Sequence, residues 1–211
     1  MKTDDLIAAL STDLPPARRV DRRLLLSLAP AGLVVLAVVG LWLGFRADLM
    51  EAMRGPVFWA KAAYTTAMAV AGFWLLDRLG RPGASPRGPL ILLAVTLSSV
   101  LALALFELVN MPMPDRMPAV MGDSARLCAP NIAVLSLVAT PFVFAAASAF
   151  APTRPALAGA AAGLLTGGLA TTLYGLHCPE HTAAFVALWY TLGMAVAVAG
   201  GAVIGRFTLR W

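Results

Sequence analysis

Both histidines and one of the two cysteines of this chain fall within six consecutive positions, Leu176-His177-Cys178-Pro179-Glu180-His181. Thiols and imidazoles are the side chains that meet oxidants and soft metals near neutral pH. The other cysteine, Cys128, lies one apolar hairpin upstream, beyond the runs at about 131–151 and 155–176. As antiparallel helices of about 20 residues, rising about 1.5 Å each, these runs carry the chain across a bilayer and back. Cys128 is then expected just before the first helix and Cys178 just after the second, both on one face.

The pair admits three chemistries. Thiols buried at helix ends are inert. Antiparallel neighbours lie about 8–10 Å apart between axes, so the two thiols can form a disulfide. They can also join His177 and His181 as a Cys2His2 set suited to a transient thiophilic metal such as Zn, Cd or Cu. Met111, Met113, Met117 and Met121 share the loop of Cys128 and suit Cu(I), although packing is their plainer role. A redox pair is the foremost of these readings, with the metal site and the structural role kept beside it, and no resident cofactor is expected.

The elements that must position these groups are written in the composition. The chain has 211 residues, 60% hydrophobic and 13% charged, whereas soluble domains are about 25% charged. Backbone groups in lipid must pair within their own segment, which makes the apolar runs helices. The fold class is therefore an all-α integral membrane protein with six transmembrane helices and a short amphipathic N-terminal cytoplasmic helix. The spans are expected at about 24–45, 57–76, 89–109, 131–151, 155–176 and 183–205, between a segment 1–23 and a tail 206–211. The net charge of +5 comes from residues that flank the spans rather than from a basic domain, so no direct nucleic-acid partner is expected and lipids are.

Six spans put both termini on one side. Lys2, Arg18, Arg19, Arg22, Arg23, Arg78, Arg81, Arg87, Arg154, Arg206 and Arg210 fall there, against Arg46, Arg54, Lys61, Arg116 and Arg126 opposite. The positive-inside rule assigns the richer side to the cytoplasm and both cysteines to the outside. In a bacterial inner membrane that outside is the oxidising periplasm.

Within 1–23, Leu6, Ile7, Leu10 and Leu14 make an apolar stripe that Pro15-Pro16 ends. A helix this short is stable only against a partner or the membrane. Either Lys61 and Glu107, inside the outer ends of their spans, form an ion pair, because intramembrane charges seldom stand alone, or Lys61 snorkels to the interface. Trp42, Trp59 and Tyr190 read as interface belt residues. Gly159, Gly163 and Gly167, and Gly193, Ala197, Gly201 and Gly205, have the four-residue spacing that lets membrane helices approach closely. The chain has no phosphate loop, H-E-x-x-H motif, nucleophile elbow or C-x-x-C motif, and it is not expected to be an enzyme.

The basic residues after the N-terminal segment, Trp59-Ala60-Lys61, Leu176-His177-Cys178-Pro179-Glu180 ahead of Trp189-Tyr190, and the terminal Arg210-Trp211 together resemble the NrsF-type membrane anti-sigma factors of proteobacteria. The resemblance spans essentially the whole chain. It implies that the N-terminal segment holds an extracytoplasmic-function sigma factor at the inner membrane, with Leu6, Ile7, Leu10 and Leu14 as the expected contact. It further implies that Cys128 and Cys178 serve signalled release under heavy-metal or oxidative stress. The competing reading, a small transporter or membrane thiol oxidoreductase, calls for polar groups at mid-bilayer, and the span centres nearly lack them.

Overall fold

The computed structural model describes residue 3 and residues 20–81, 83–150 and 152–210. The sigma-contact expectation at Leu6, Ile7, Leu10 and Leu14 lies outside the described residues. Those described form helices and connections, with no strand among them.

Helix α1 (Val20–Val38) is prolonged by a π turn, Val39–Leu43, and α2 (Leu49–Ala52) is a single surface turn. Helix α3 spans Pro56–Leu79, α4 Arg87–Asn110 and the short α5 Met113–Met121. Then follow α6 (Ala125–Ala147) and α7 (Pro155–Tyr174). The last rod, α8, runs Ala183–Thr208 with a π turn at Val186–Tyr190. Pro56 and Pro155 open their helices at the position where a missing N–H costs nothing.

Five of these segments are long and apolar enough to cross a membrane. The expected sixth, α3, is 24 residues long but falls outside that set. Lys61, Tyr64, Thr65 and Thr66 make its outer half polar, and Asp77 and Arg78 do the same at the other end. A second difference concerns the fourth expected span. Its helix starts at Ala125 rather than near residue 131, because Pro130 is accommodated inside it. Cys128 therefore sits within the first helical turn instead of preceding it, whereas Cys178 does follow the end of α7.

Helix α7 is the centre of the bundle, packed against α8, α3 and α6, while α1 rests on α6 and α4 lies at the periphery. Its glycines explain why. A Cβ on Gly159 or Gly163 would run into the backbone of Gly201 or Ala197 in α8. On the opposite side, a Cβ on Gly168 would strike Ala69, and one on Gly72 would strike Leu165. Two helices thus approach α7 backbone to backbone, where dispersion contacts and weak polar contacts replace a hydrophobic driving force. The outward faces stay apolar: Leu33, Leu41 and Phe106 are exposed, Leu41 by 90%. That surface suits lipid rather than water.

One core cluster surrounds Cys128, Cys178, Tyr174 and Tyr190 at one end; a second surrounds Leu24, Leu76, Phe150 and Leu209 at the other. The glycine interface makes a sharp prediction. Gly201→Leu drives a side chain into the backbone of Gly159, whereas neighbouring Gly200 faces open space. Overpacking of this kind costs about 1–3 kcal/mol. Gly201→Leu should lower the thermal midpoint of the solubilised protein by several degrees and Gly200→Leu should leave it unchanged; equal midpoints would refute the close α7–α8 contact.

Candidate functional site: a sealed thiol pair at the head of the bundle

The connection from Tyr174 to Ala183 closes over the end of the bundle and is fastened on three sides. His177 Nδ1 bonds to the Gly44 carbonyl at 2.8 Å. Gly44 takes a positive φ of 77° as the chain leaves the first π turn, a conformation that glycine adopts without strain. Two residues on, the Arg46 N–H donates to the Leu176 carbonyl at 3.1 Å, and Arg46 Nη1 reaches the Cys178 carbonyl at 3.4 Å. Asp48 holds that guanidinium from the other side at 2.6 Å and raises its affinity for the proton.

The second fastening is Lys61. Its side chain is buried, and Nζ donates to the Glu180 carbonyl at 2.6 Å and the Cys178 carbonyl at 3.3 Å. It also lies 5.2 Å from the centre of the Tyr190 ring. Glu107 instead accepts from the Ala184 N–H at 3.0 Å, at the positive N-terminal end of α8. The expected Lys61–Glu107 ion pair is therefore not formed. Each group meets a backbone partner closer to hand.

The third fastening is Glu180. Its Oε1 accepts from the backbone N–H of Asp123 and of Ser124 at 2.8 and 3.0 Å, and from Ser124 Oγ at 2.9 Å. The carboxylate so caps the start of α6, one turn from Cys128. Gly122, with φ of 53°, leaves room for it, since a Cβ there would collide with the carboxylate. Thr182 caps α8 and donates to the Ala119 carbonyl at 2.7 Å, while Trp189 Nε1 reaches the Val120 carbonyl at 2.9 Å. These two bonds bind α5 to the same assembly.

Inside this clasp Cys128 and Cys178 are free thiols, both wholly buried, and they hydrogen-bond to each other. Ser124 Oγ lies 3.9 Å from Cys178 Sγ. The Tyr190 hydroxyl, buried and without a hydrogen-bond partner, faces the Cys178 sulfur. Tyr174 stands over the pair, its ring 6.0 Å from that of Tyr190. Tyr190 is therefore a core residue of the thiol site, not the belt residue its sequence position suggested. It sits at the end of the second π turn, which rotates it inward, as such turns often do near functional sites.

The thiols are unequal. Cys178 is held below the ordinary range, first by the hydrogen bond from Cys128, against the opposing effect of burial, and then by the charge of Lys61. Contacts from Tyr190 and the Glu180 backbone add to this. Cys178 is thus the partner disposed to be the thiolate, and so the nucleophile. The proposed Cys2His2 set is not assembled: His177 is turned to Gly44 and His181 lies exposed on the surface. No group of three or more His, Cys, Asp or Glu suited to a metal occurs among the described residues. The methionines of α5 also point away, with Met113 and Met117 exposed.

Among the described residues the body is all-helical, with a sealed thiol pair at one end and several apolar helices compatible with a membrane protein. The family model described as "Negative regulator of sigma F" matches residues 10–211, so the chain belongs to the NrsF family and is an anti-sigma factor. It is 42% identical over 219 residues to a protein of Caulobacter vibrioides named "Anti-sigma-F factor NrsF", with each chain fully covered. It is 37% identical over 217 residues to a "Probable anti-sigma-F factor NrsF" of Azospira oryzae, again over the whole of both. No solved structure matches it. Membership implies a regulatory role with a sigma factor as partner.

The unequal thiols can be checked by methylthiolation with a small membrane-permeant reagent. Cys128→Ala removes the donor that favours the Cys178 thiolate, so the pH midpoint of Cys178 modification should move upward. Cys128→Ser keeps a donor and should move it less. A midpoint identical in all three proteins would show that Cys128 does not set the reactivity of Cys178.

Proposed function

We propose that the protein holds an extracytoplasmic-function sigma factor at the bacterial inner membrane through residues 1–23. It releases that factor when Cys128 and Cys178 react on the periplasmic side under oxidative or heavy-metal stress. The observation that carries this reading is the direct contact of two free thiols in a family of anti-sigma factors.

In this reading α3 is the sixth crossing. Its polar outer end is tolerable because Lys61 finds two carbonyls and Thr65 bonds back to the Lys61 carbonyl. The charge bias supports cytoplasmic termini, since Arg46 and Lys61 lie at the cysteine end and Arg78, Arg81, Arg154 and Arg206 at the other.

The mechanical logic is short. Bonding the two sulfurs draws the 175–182 segment toward the start of α6. Arg46 and Lys61 hold that segment and His177 ties it to Gly44, so α1 and α3 feel the displacement. The glycine contacts of α7 pass it to the cytoplasmic ends, because rigid interfaces transmit strain instead of absorbing it. A hundredfold change in sigma-factor affinity needs about 2.7 kcal/mol of coupling. A disulfide, at about 2–4 kcal/mol, is sufficient.

Two groups that form one bond act as one unit. Cys128→Ser, Cys178→Ser and the double variant should therefore lose the stress response to the same extent, as read by target transcripts. Deleting residues 1–23 or making Leu10→Asp should abolish copurification of the sigma factor without removing the protein from membranes. A double cysteine variant that still responds would refute thiol sensing, and a sigma factor retained after the deletion would refute the N-terminal contact.

A further inference from the structure

A cavity of about 500 Å³ opens between α3 and α4 beside the thiol clasp. Ala60, Ala63 and Ala67 of α3 leave the space, and Val95, Leu103 and Phe106 of α4 wall it. The size is that of a small-ligand site, about 300–1,000 Å³. Its body is apolar and lies within the apolar exterior. Its outer mouth is charged, formed by Lys61, Glu107 and His181.

Three facts at that mouth point to a ligand. The ammonium of Lys61 is buried, yet neither of the ion pairs among the described residues includes it. Its two hydrogen bonds go to neutral carbonyls and its charge faces the Cys178 sulfur, which leaves a third N–H able to meet an anion at the mouth. Buried charges call for one. Glu107 lines the same mouth and is likewise without a cation, since it accepts only the Ala184 N–H. Deeper in, Thr96 is buried and Ser99 lines the wall, and neither hydroxyl is hydrogen-bonded, unlike Thr65, Ser136, Thr171 and Thr172, which bond back to their own helices.

We propose that this cavity binds one zwitterionic phospholipid, with an acyl chain between α3 and α4, its phosphate on Lys61 and His181, and its ammonium on Glu107. A cation and an anion that share a mouth but do not pair are complementary to a headgroup carrying both signs. A ligand bearing only negative charge would meet Glu107 as a repulsion. A wholly neutral ligand would leave the third N–H of Lys61 without an anion. The acyl chain also completes the packing of α4, which otherwise touches the bundle mainly through α3 and the start of α8. Because Lys61 also holds the Cys178 and Glu180 carbonyls, the bound headgroup steadies the clasp over the thiols.

The test is native mass spectrometry of the full chain released from nanodiscs of phosphatidylethanolamine or phosphatidylglycerol with matched acyl chains. The wild type should retain one phosphatidylethanolamine through delipidating activation, at a level roughly tenfold above phosphatidylglycerol. Ala67→Phe fills the cavity with an apolar group and should abolish retention while leaving the thermal midpoint in detergent at or above that of the wild type. Glu107→Gln should erase the preference between the two lipids without abolishing retention. Equal retention of both lipids by the wild type, undiminished retention by Ala67→Phe, or retention of a non-phosphate amphiphile in place of the phospholipid would each overturn the proposal. A sigma factor that still copurifies with Ala67→Phe separates this outcome from failure of the anchoring role.

Discussion

The structure turns on a buried ammonium. Lys61 enters the head of the bundle from α3 and fixes two successive parts of the 175–182 connection through the Cys178 and Glu180 carbonyls. Without it the Glu180 carbonyl would lose its partner, at about 1–3 kcal/mol, and the Cys178 carbonyl would keep only the longer bond from Arg46. With it, the sulfur of Cys178 is placed beside Cys128 and within reach of a positive charge. Arg46 repeats the arrangement from α1, and Glu180 provides the matching negative cap at α6. Two charged side chains from distant stretches thus converge on one loop of eight residues, which sends its own Glu180 to α6 and has little regular structure of its own to hold it.

The proposed sensing role calls for rigidity where the signal is made and where it is carried. The head is fixed by polar bonds, the body by backbone contacts through Gly159, Gly163, Gly168, Gly201 and Gly72. Such contacts leave no side chains to rearrange, so a shift of the 175–182 segment is passed on as movement of whole helices. The thiols at the origin of that movement are sealed from water. In the proposed role their reaction depends on how often the clasp opens, so Lys61 and Glu180 would bear on sensitivity as well as on shape.

Much of this was legible in the sequence, for physical reasons. Lipid demands long apolar helices, so five of the six expected spans and their approximate limits follow from hydropathy, whereas α3 is too polar to count among them. The small-residue spacing of Gly159–Gly163 and Gly201–Gly205 correctly marked the closest helix contact. A hairpin returning to one face brought Cys128 and Cys178 together. What the sequence did not reveal depends on local backbone geometry. The early start of α6 puts Cys128 inside the helix, and the π turn at 186–190 turns Tyr190 inward; neither has a periodic signature. Lys61 and Glu107 looked like natural partners by depth alone, but free carbonyls and a helix N-terminus lay nearer. His177 and His181 looked like ligands by spacing, yet a five-residue span without helix turns them in different directions.

The central claim, that Cys128 and Cys178 meet inside one clasped site, is tested most directly by peptide mapping of the membrane-embedded protein after mild oxidation. The account predicts one intramolecular cross-link joining the peptide that contains Cys128 to the one that contains Cys178, formed at protein concentrations too low for encounters between chains. Free thiols at both positions after oxidation that links control pairs, or cross-links only between separate chains, would contradict it.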